Sequence, residues 1–341
     1  MINSFISQID AVSGSLWMFV LPMLISFLVT AISGPVLIPW LHKLKFGQQI
    51  LEIGPSWHKK KSGTPTMGGI MFIIGCIISV GGVLFAKMDM RLLMMLVISL
   101  GFGLIGFIDD YIKVVKKRNL GLTAKQKFAL QAILAVIYVL VLKQTGNLDL
   151  EIIVPFLKTP IILPLWLYIV LILLVVTGTV NAVNLTDGLD GLATSITSVV
   201  TLFFAISAVL FRDRISAVFA MAILGGCLGF LIFNRHPAKV FMGDTGSLFL
   251  GGAISVLAIG LEMPLILVIA GFVYLFEALS VIIQVTSFKL TGKRVFKMSP
   301  IHHHYAMCGW REVKIVAVFT SVTVVLCIIS VFAVIPALGA L

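Results

Sequence analysis

Asp109 and Asp110 stand side by side in Gly106-Phe-Ile-Asp-Asp-Tyr-Ile-Lys113, where a long apolar run meets a basic loop. Adjacent carboxylates repel each other and point about 100° apart on a helix, so they are a poor structural choice. A solvated helix end with Lys113 and Lys116 as local partners is the plain alternative. An acid at a membrane edge is costly unless paired, hydrated or metal-bound, and that placement favours divalent-cation or polyphosphate chemistry. Asn184, Asp187 and Asp190 recur every three residues in Asn181-Ala-Val-Asn-Leu-Thr-Asp-Gly-Leu-Asp-Gly191. An Asx turn and a helix cap would account for one of these aspartates but not for the triple polar spacing. A third element, Gly243-Asp244-Thr245-Gly246-Ser247, immediately precedes another apolar run. Free amides at a helix start suit a phosphate. An aspartate beside that phosphate is tolerable only with a cation between them.

Two basic elements accompany the acids. Trp57-His-Lys-Lys-Lys-Ser-Gly-Thr-Pro-Thr-Met-Gly-Gly69 combines three lysines with a Gly/Pro/Thr-rich segment. Lys59 to Lys61 read equally well as anchors for anionic lipid heads, but Thr64-Pro65-Thr66 has no such explanation. GxxxxGK[ST] is absent, so this is no Walker A loop. Lys297-Met-Ser-Pro-Ile-His-His-His-Tyr305 holds three of the six histidines. HExxH spacing is missing, which argues against zinc hydrolysis, and the run reads as a set of substrate contacts.

The elements that must position these residues are membrane helices. Of the 341 residues, 60% are hydrophobic and 11% charged, far from the ~25% charge of a soluble domain. The apolar residues fall into about ten runs, each near the ~30 Å reach of a spanning helix. They lie at roughly 17–41, 70–86, 92–108, 128–142, 165–183, 192–211, 215–233, 248–261, 264–288 and 315–338. The connections 42–69, 109–127, 184–191, 234–247 and 289–314 carry 19 of the 25 Lys and Arg residues. The positive-inside rule places these five in the cytoplasm and both termini outside. The expected fold is therefore an all-α polytopic membrane protein, one integral domain over 1–341, with its site in the cytoplasmic loops. The outer connection 143–164 has the turn signals of a small β-hairpin. Only Glu277 lies clearly inside a span, where snorkelling or a loop lysine would accommodate it. Four cysteines without paired spacing support neither a metal framework nor a redox role.

Clustered aspartates, helix-start amides, lysines and histidines at one boundary are the parts of phosphoryl transfer. Their location implies a lipid acceptor and a second reactant arriving from the cytosol. An ion-coupled transporter would instead place charges near mid-membrane on broken helices. A non-catalytic lipid-binding scaffold would explain the lysines and leave the aspartates without a purpose.

Asp109-Asp110, Asn184-Leu-Thr-Asp187-Gly-Leu-Asp190-Gly, Phe241-Met-Gly-Asp244-Thr-Gly-Ser and Pro300-Ile-His-His-His-Tyr305 together resemble the motifs of the polyprenyl-phosphate N-acetylhexosamine-1-phosphate transferase superfamily. Lys61-Ser-Gly-Thr-Pro-Thr-Met-Gly-Gly and the histidine run bring the chain closest to its phospho-N-acetylmuramoyl-pentapeptide branch. The resemblance implies ten helices and a Mg2+-dependent reaction. Undecaprenyl phosphate would attack UDP-MurNAc-pentapeptide, giving UMP and lipid I. It implies Asp244 as the Mg2+ ligand, with Asp109 and Asp110 at the reacting phosphates. Asn184, Asp187, Asp190, Asn234 and Phe241 would line the nucleotide side, and Lys61, Thr66, Lys113, Lys125, His303 and His304 would contact phosphates or sugar. It further implies homodimers and a prenyl groove among membrane lipids in the bacterial cytoplasmic membrane, with no nucleic-acid partner. A sister enzyme using UDP-GlcNAc shares the aspartate motifs, and the His302–His304 run is the main discriminator.

Overall fold

A computed structural model describes residues 16–43, 63–115 and 120–339. Its long helices are α1 (Leu16–Lys43), α2 (Gly69–Ala86), α3 (Met90–Val115), α4 (Ala124–Gln144), α5 (Leu165–Thr186), α6 (Leu192–Leu210), α7 (Arg214–Asn234) and α8 (Gly243–Gly260). After a 3-10 turn at Pro264–Ile266 come the short α9 (Leu267–Ala270), then α10 (Phe272–Thr291), the short α11 (Ile301–Met307) and α12 (Glu312–Val334). Ten helices among the described residues are long and apolar enough to cross a membrane, as expected from the hydropathy pattern.

Helix boundaries follow local chemistry. Thr123 and Gln126 form a reciprocal capping box at the start of α4. Asp213 accepts the Ile215 and Ser216 N–H groups at the start of α7, both at 3.1 Å, and pairs with Arg91 at 2.6 Å. The segment 143–164 is a hairpin, but a minimal one. Glu151 faces Ile162 and Ile152 faces Ile161 across two-residue strands β1 (Glu151–Ile152) and β2 (Ile161–Ile162). It is docked on the bundle by Ile153 N–H to the Glu262 carbonyl and Phe156 N–H to the Ala333 carbonyl, each 2.7 Å.

Several boundaries differ from expectation: α3 runs on to Val115 rather than ending at 108, so Asp109 and Asp110 lie within it, and two further differences have a local cause. The eighth span starts at Gly243 rather than 248, because Gly-Asp-Thr-Gly-Ser is its first turn and not a preceding loop. The ninth is not continuous over 264–288. Pro264 opens a 3-10 turn, and the chain bends again at Gly271 before α10. Hydropathy alone cannot see such breaks, since the residues on either side are equally apolar.

Helix α8 is the central strut and is almost wholly buried. Lipid tails are as apolar as leucine, so helices in a membrane associate largely by close packing of small residues. A Cβ at Gly251 would press on the Val180 backbone of α5, and one at Gly252 on the Phe102 ring of α3. Gly106 of α3 touches the Asp244 carbonyl so closely that a Cβ there would collide. Glycine on both flanks thus draws α3 and α5 against the start of α8, and their polar ends meet.

Candidate functional site

The cluster sits where α3 ends, α4 begins, α5 ends and α8 begins. Asp109 and Asp110 occupy the last turns of α3 and are buried, with 0% and 4% exposure. Asp244 lies in the first turn of α8. One carboxylate oxygen from each of the three falls within 4.8 Å of the others. Lys113, on α3, places its Nζ 2.6 Å from Asp109 Oδ2 and 3.0 Å from Asp244 Oδ2. Lys127, on α4, stands 3.1 Å from Asp109 Oδ2 and 2.5 Å from Asp244 Oδ2. Toward Asp109 Oδ2 the two ammonium groups make ion pairs without hydrogen-bond geometry. Three carboxyl groups thus face two ammonium groups around one point.

The three acids are held differently. Asp109 Oδ1 accepts the Leu122 N–H at 2.7 Å, tying the loop before α4 to α3. Asp110 Oδ2 accepts the Thr245 N–H at 2.9 Å and its hydroxyl at 2.7 Å, while Oδ1 accepts the Asp244 N–H at 3.3 Å. These are the helix-start amides that the sequence offers to a phosphate, and the chain's own carboxylate already takes them. Asp244 Oδ1 accepts from Asn184 Nδ2 at 2.9 Å, and Asn184 Nδ2 also reaches Ser247 Oγ at 2.8 Å. Its other oxygen faces the lysines. Asp244 is the most accessible of the three, at 16% side-chain exposure.

The segment leading into α2 forms a wall. Phe241 N–H donates to the Pro65 carbonyl at 2.9 Å, and Gly68 and Gly69 N–H donate to the Phe241 and Met242 carbonyls at 2.8 and 3.0 Å. This pairing brings Thr66 to the cluster, with its hydroxyl near Gly243. At +72° the Gly243 φ suits glycine, and a side chain there would meet both Thr66 and Asp110. Phe241 is half-buried on the same strip. Lys61 lies outside the described residues.

Asn184 is in the last turn of α5 and Asp187 is its C-cap. Asp190 Oδ2 accepts the Ala238 N–H at 3.0 Å and lies 3.1 Å from His236 Nδ1. Its backbone N–H donates to Glu312 Oε1 at 2.6 Å. Asp190, His236 and Glu312 thus form a second acid–histidine group close enough for a metal, but their mutual bonds fasten the turn after α5, the loop before α8 and the start of α12 together. Asn234 is 2% exposed. It accepts from Thr194 and donates to the Val240 carbonyl, closing its own loop.

Lys125 is exposed, and Lys127 takes the place at the acids. The periodicity held the signal, since the buried stripe of α4 begins at Gln131 and Lys127 is one turn before it. His302 is fully buried against Glu277 rather than facing outward. His304 accepts the Lys297 N–H at 3.1 Å and stacks edge-on with Phe296. His303 rests against the His302 ring, with centroids 4.1 Å apart.

Ten membrane helices among the described residues, their ends gathering carboxylates and ammonium groups around one point, have the build of a membrane transferase. The family model for Glycosyl transferase family 4 matches residues 92–262, and phospho-N-acetylmuramoyl-pentapeptide-transferase signature 1 matches residues 61–73. The chain is 52% identical over 312 residues to the phospho-N-acetylmuramoyl-pentapeptide-transferase of Acetivibrio thermocellus, covering 91% of this chain and 93% of that protein. It is 50% identical over 311 residues to that of Bacillus cytotoxicus, at 90% and 95% coverage, and 50% identical over 318 residues to that of Shouchella clausii, at 93% and 97%. The chain belongs to the phospho-N-acetylmuramoyl-pentapeptide-transferase family and is a multi-pass membrane enzyme of bacteria.

Proposed function

We propose that this enzyme transfers phospho-N-acetylmuramoyl-pentapeptide from UDP-MurNAc-pentapeptide to undecaprenyl phosphate, producing UMP and lipid I for peptidoglycan synthesis. The observation that carries this reading is the meeting of Asp109, Asp110, Asp244, Lys113 and Lys127 at one end of the bundle. The strongly basic connections put that end in the cytoplasm, where the nucleotide is, and leave both termini outside.

The donor set fits Mg2+, which favours oxygen ligands and takes one or two carboxylates with phosphate oxygens. Asp244 would hold it, with Asp109 the nearest second carboxylate. When bound, the ion neutralises charge on the diphosphate. Lys113 and Lys127, now on Asp244, are within reach of phosphate oxygens that enter beside it. Asp110 keeps the start of α8 fixed beneath the reacting groups. Phe241 offers a ring to the uracil, with Asn184, Asp187, Asp190 and Asn234 shaping the nucleotide side. Thr66, His303 and His304 would contact the phosphates and sugar, joined by Lys61 from outside the described residues, while the exposed Lys125 stands at the rim and contributes little.

A phosphate monoester has a second pKa near ~6, so the lipid acceptor is largely dianionic at neutral pH. Little proton abstraction remains for Asp109 to perform. The acceptor oxygen attacks the phosphorus that carries the sugar. A new P–O bond forms, the bond to the bridging oxygen breaks, and UMP leaves with the electron pair. Direct displacement with charge neutralisation suffices.

Purified protein with undecaprenyl phosphate and Mg2+ should release UMP from UDP-MurNAc-pentapeptide and not from UDP-GlcNAc. The opposite preference would overturn the donor. Radiolabelled phospho-MurNAc trapped on an aspartate without lipid acceptor would overturn direct displacement.

A further inference from the structure

Glu277 is 0% exposed in the interior of α10, and its Oε2 lies 3.1 Å from Nδ1 of His302, which is also 0% exposed. Among the described residues neither Glu277 Oε1 nor His302 Nε2 has a hydrogen-bond partner. Among the described residues no loop lysine reaches this acid, and it does not snorkel. A buried carboxylate in a membrane helix is costly, so its retention calls for a task beyond filling space.

The far edge of the His302 ring shows that task. A Cβ added to Gly188 would overlap His302 Nε2 and sit 2.6 Å from Cε1. Gly188 stands between Asp187 and Asp190 in the turn after α5. The imidazole is therefore wedged, with one nitrogen on the glutamate and the other against the backbone of that turn. One step further along, the same face of α10 fastens the loop that runs from α10 to α11. Gln284 Oε1 accepts the Val295 and Phe296 N–H groups at 3.0 and 2.9 Å, and its Nε2 donates to the Phe296 carbonyl at 3.0 Å. Positions 277 and 284 are seven apart, two helical turns on one side. The other side of the turn is held by Glu312 at the Asp190 N–H and by the Ala238 N–H at Asp190 Oδ2.

We infer that Glu277 is a positioning residue: through His302 it sets the Asp187–Asp190 turn that receives the nucleotide side of the donor. It touches no substrate itself. This inference rests on the assignment of that turn to the nucleotide, and its test is separable from that assignment.

Glu277→Leu removes the acceptor while keeping similar volume, and Glu277→Gln retains an acceptor for the imidazole N–H. In the full-length enzyme, losing the two buried contacts that Glu277 Oε2 makes with the ring Nδ1 and backbone N–H of His302 should raise the KM for the nucleotide donor about tenfold in Glu277→Leu. The KM for undecaprenyl phosphate should stay within about twofold, and Glu277→Gln should recover most of the donor KM. A donor KM unchanged in Glu277→Leu, an equal rise for both substrates, or no recovery in Glu277→Gln overturns the inference. Thermal melting supplies a second test without substrate. Gly188→Ala should lower the melting temperature in the wild-type background and not in His302→Ala, where the clash is gone. Equal lowering in both backgrounds overturns the contact. Failure of the wild-type enzyme to release UMP would sink the proposed donor, and the melting cycle would still decide the wedge.

Discussion

Asp110 caps α8 from outside that helix: its Oδ2 receives both the N–H and the hydroxyl of Thr245, at 2.9 and 2.7 Å. A carboxylate at a helix N-terminus satisfies orphan amides and meets the positive end of the dipole. Because α8 carries Asp244 in its first turn, the same bond that stabilises the helix also fixes the most accessible acid of the site.

Asp110→Ala should therefore lose stability and activity together. Loss of an N-terminal cap costs roughly 0.5–2 kcal/mol, and the buried amides left behind place the effect toward the upper end. Thr245→Val removes only the hydroxyl donor and should fall between Asp110→Ala and wild type in thermal melting. An Asp110→Ala variant that melts like wild type would show that the cap contributes nothing.

Asp244→Asn should separate the two effects. The amide keeps an oxygen for Asn184 Nδ2, now 2.9 Å away, but loses the charge that faces Lys113 and Lys127. Folding should be retained while UMP release drops by about a hundredfold or more, the scale of losing a preorganised electrostatic contact. The check is a Mg2+ titration of UMP release beside a thermal melt. Near-normal turnover at low Mg2+ would remove Asp244 from the metal site.

The two lysines of the α4 start offer a sharp contrast. Lys127 bridges Asp109 and Asp244 from a side chain that is 18% exposed, whereas Lys125 is exposed. Lys127→Ala leaves partly buried carboxylates uncompensated and should cut kcat/KM about tenfold or more. Lys125→Ala should stay within about twofold, since exposed charges contribute little. The reverse order would mean that the α4 face turns the other way when substrate is bound.

Much of this was legible in the residues, because span length and loop charge are set by the bilayer and act locally. The ten helices follow from that, and the small hairpin follows from the turn signals of 143–164. The aspartates stood out because acids at a membrane edge need a reason. What the sequence hid depends on long-range packing. Glu277 has its partner at His302, 25 positions away, and no periodicity announces that pair. Asp110 and Thr245 are 135 positions apart, so the capture of the helix-start amides was invisible while Gly243–Ser247 read as an open phosphate loop. The place of Lys127 at the acids is a matter of phase: it lies one turn before the buried stripe that begins at Gln131, and two lysines in the polar first turn of α4 are told apart only by that stripe.

Glu262 gives a pH-dependent prediction at the opposite end of the molecule. It sits half-buried between α8 and the Pro264 turn. Burial, then Asp149 and Glu151 nearby, push its carboxyl from 4.5 up to about 7, against the opposing charge of Arg91 and with a further contribution from Asp213. A carboxyl raised in the folded state binds its proton more tightly folded than unfolded. The stability it contributes is therefore fully present below its unfolded value and is lost as pH rises through the folded one. The window here runs from 4.5 to about 7. Glu262→Gln imitates the protonated form and leaves the backbone bond from Ile153 N–H in place. It should raise the melting temperature at about pH 8 and leave it nearly unchanged at about pH 4, flattening the pH profile between. Melting curves of the two proteins across that range decide the matter. An equal gain at both ends would show that the charge on Glu262 is not what strains the hairpin's docking point.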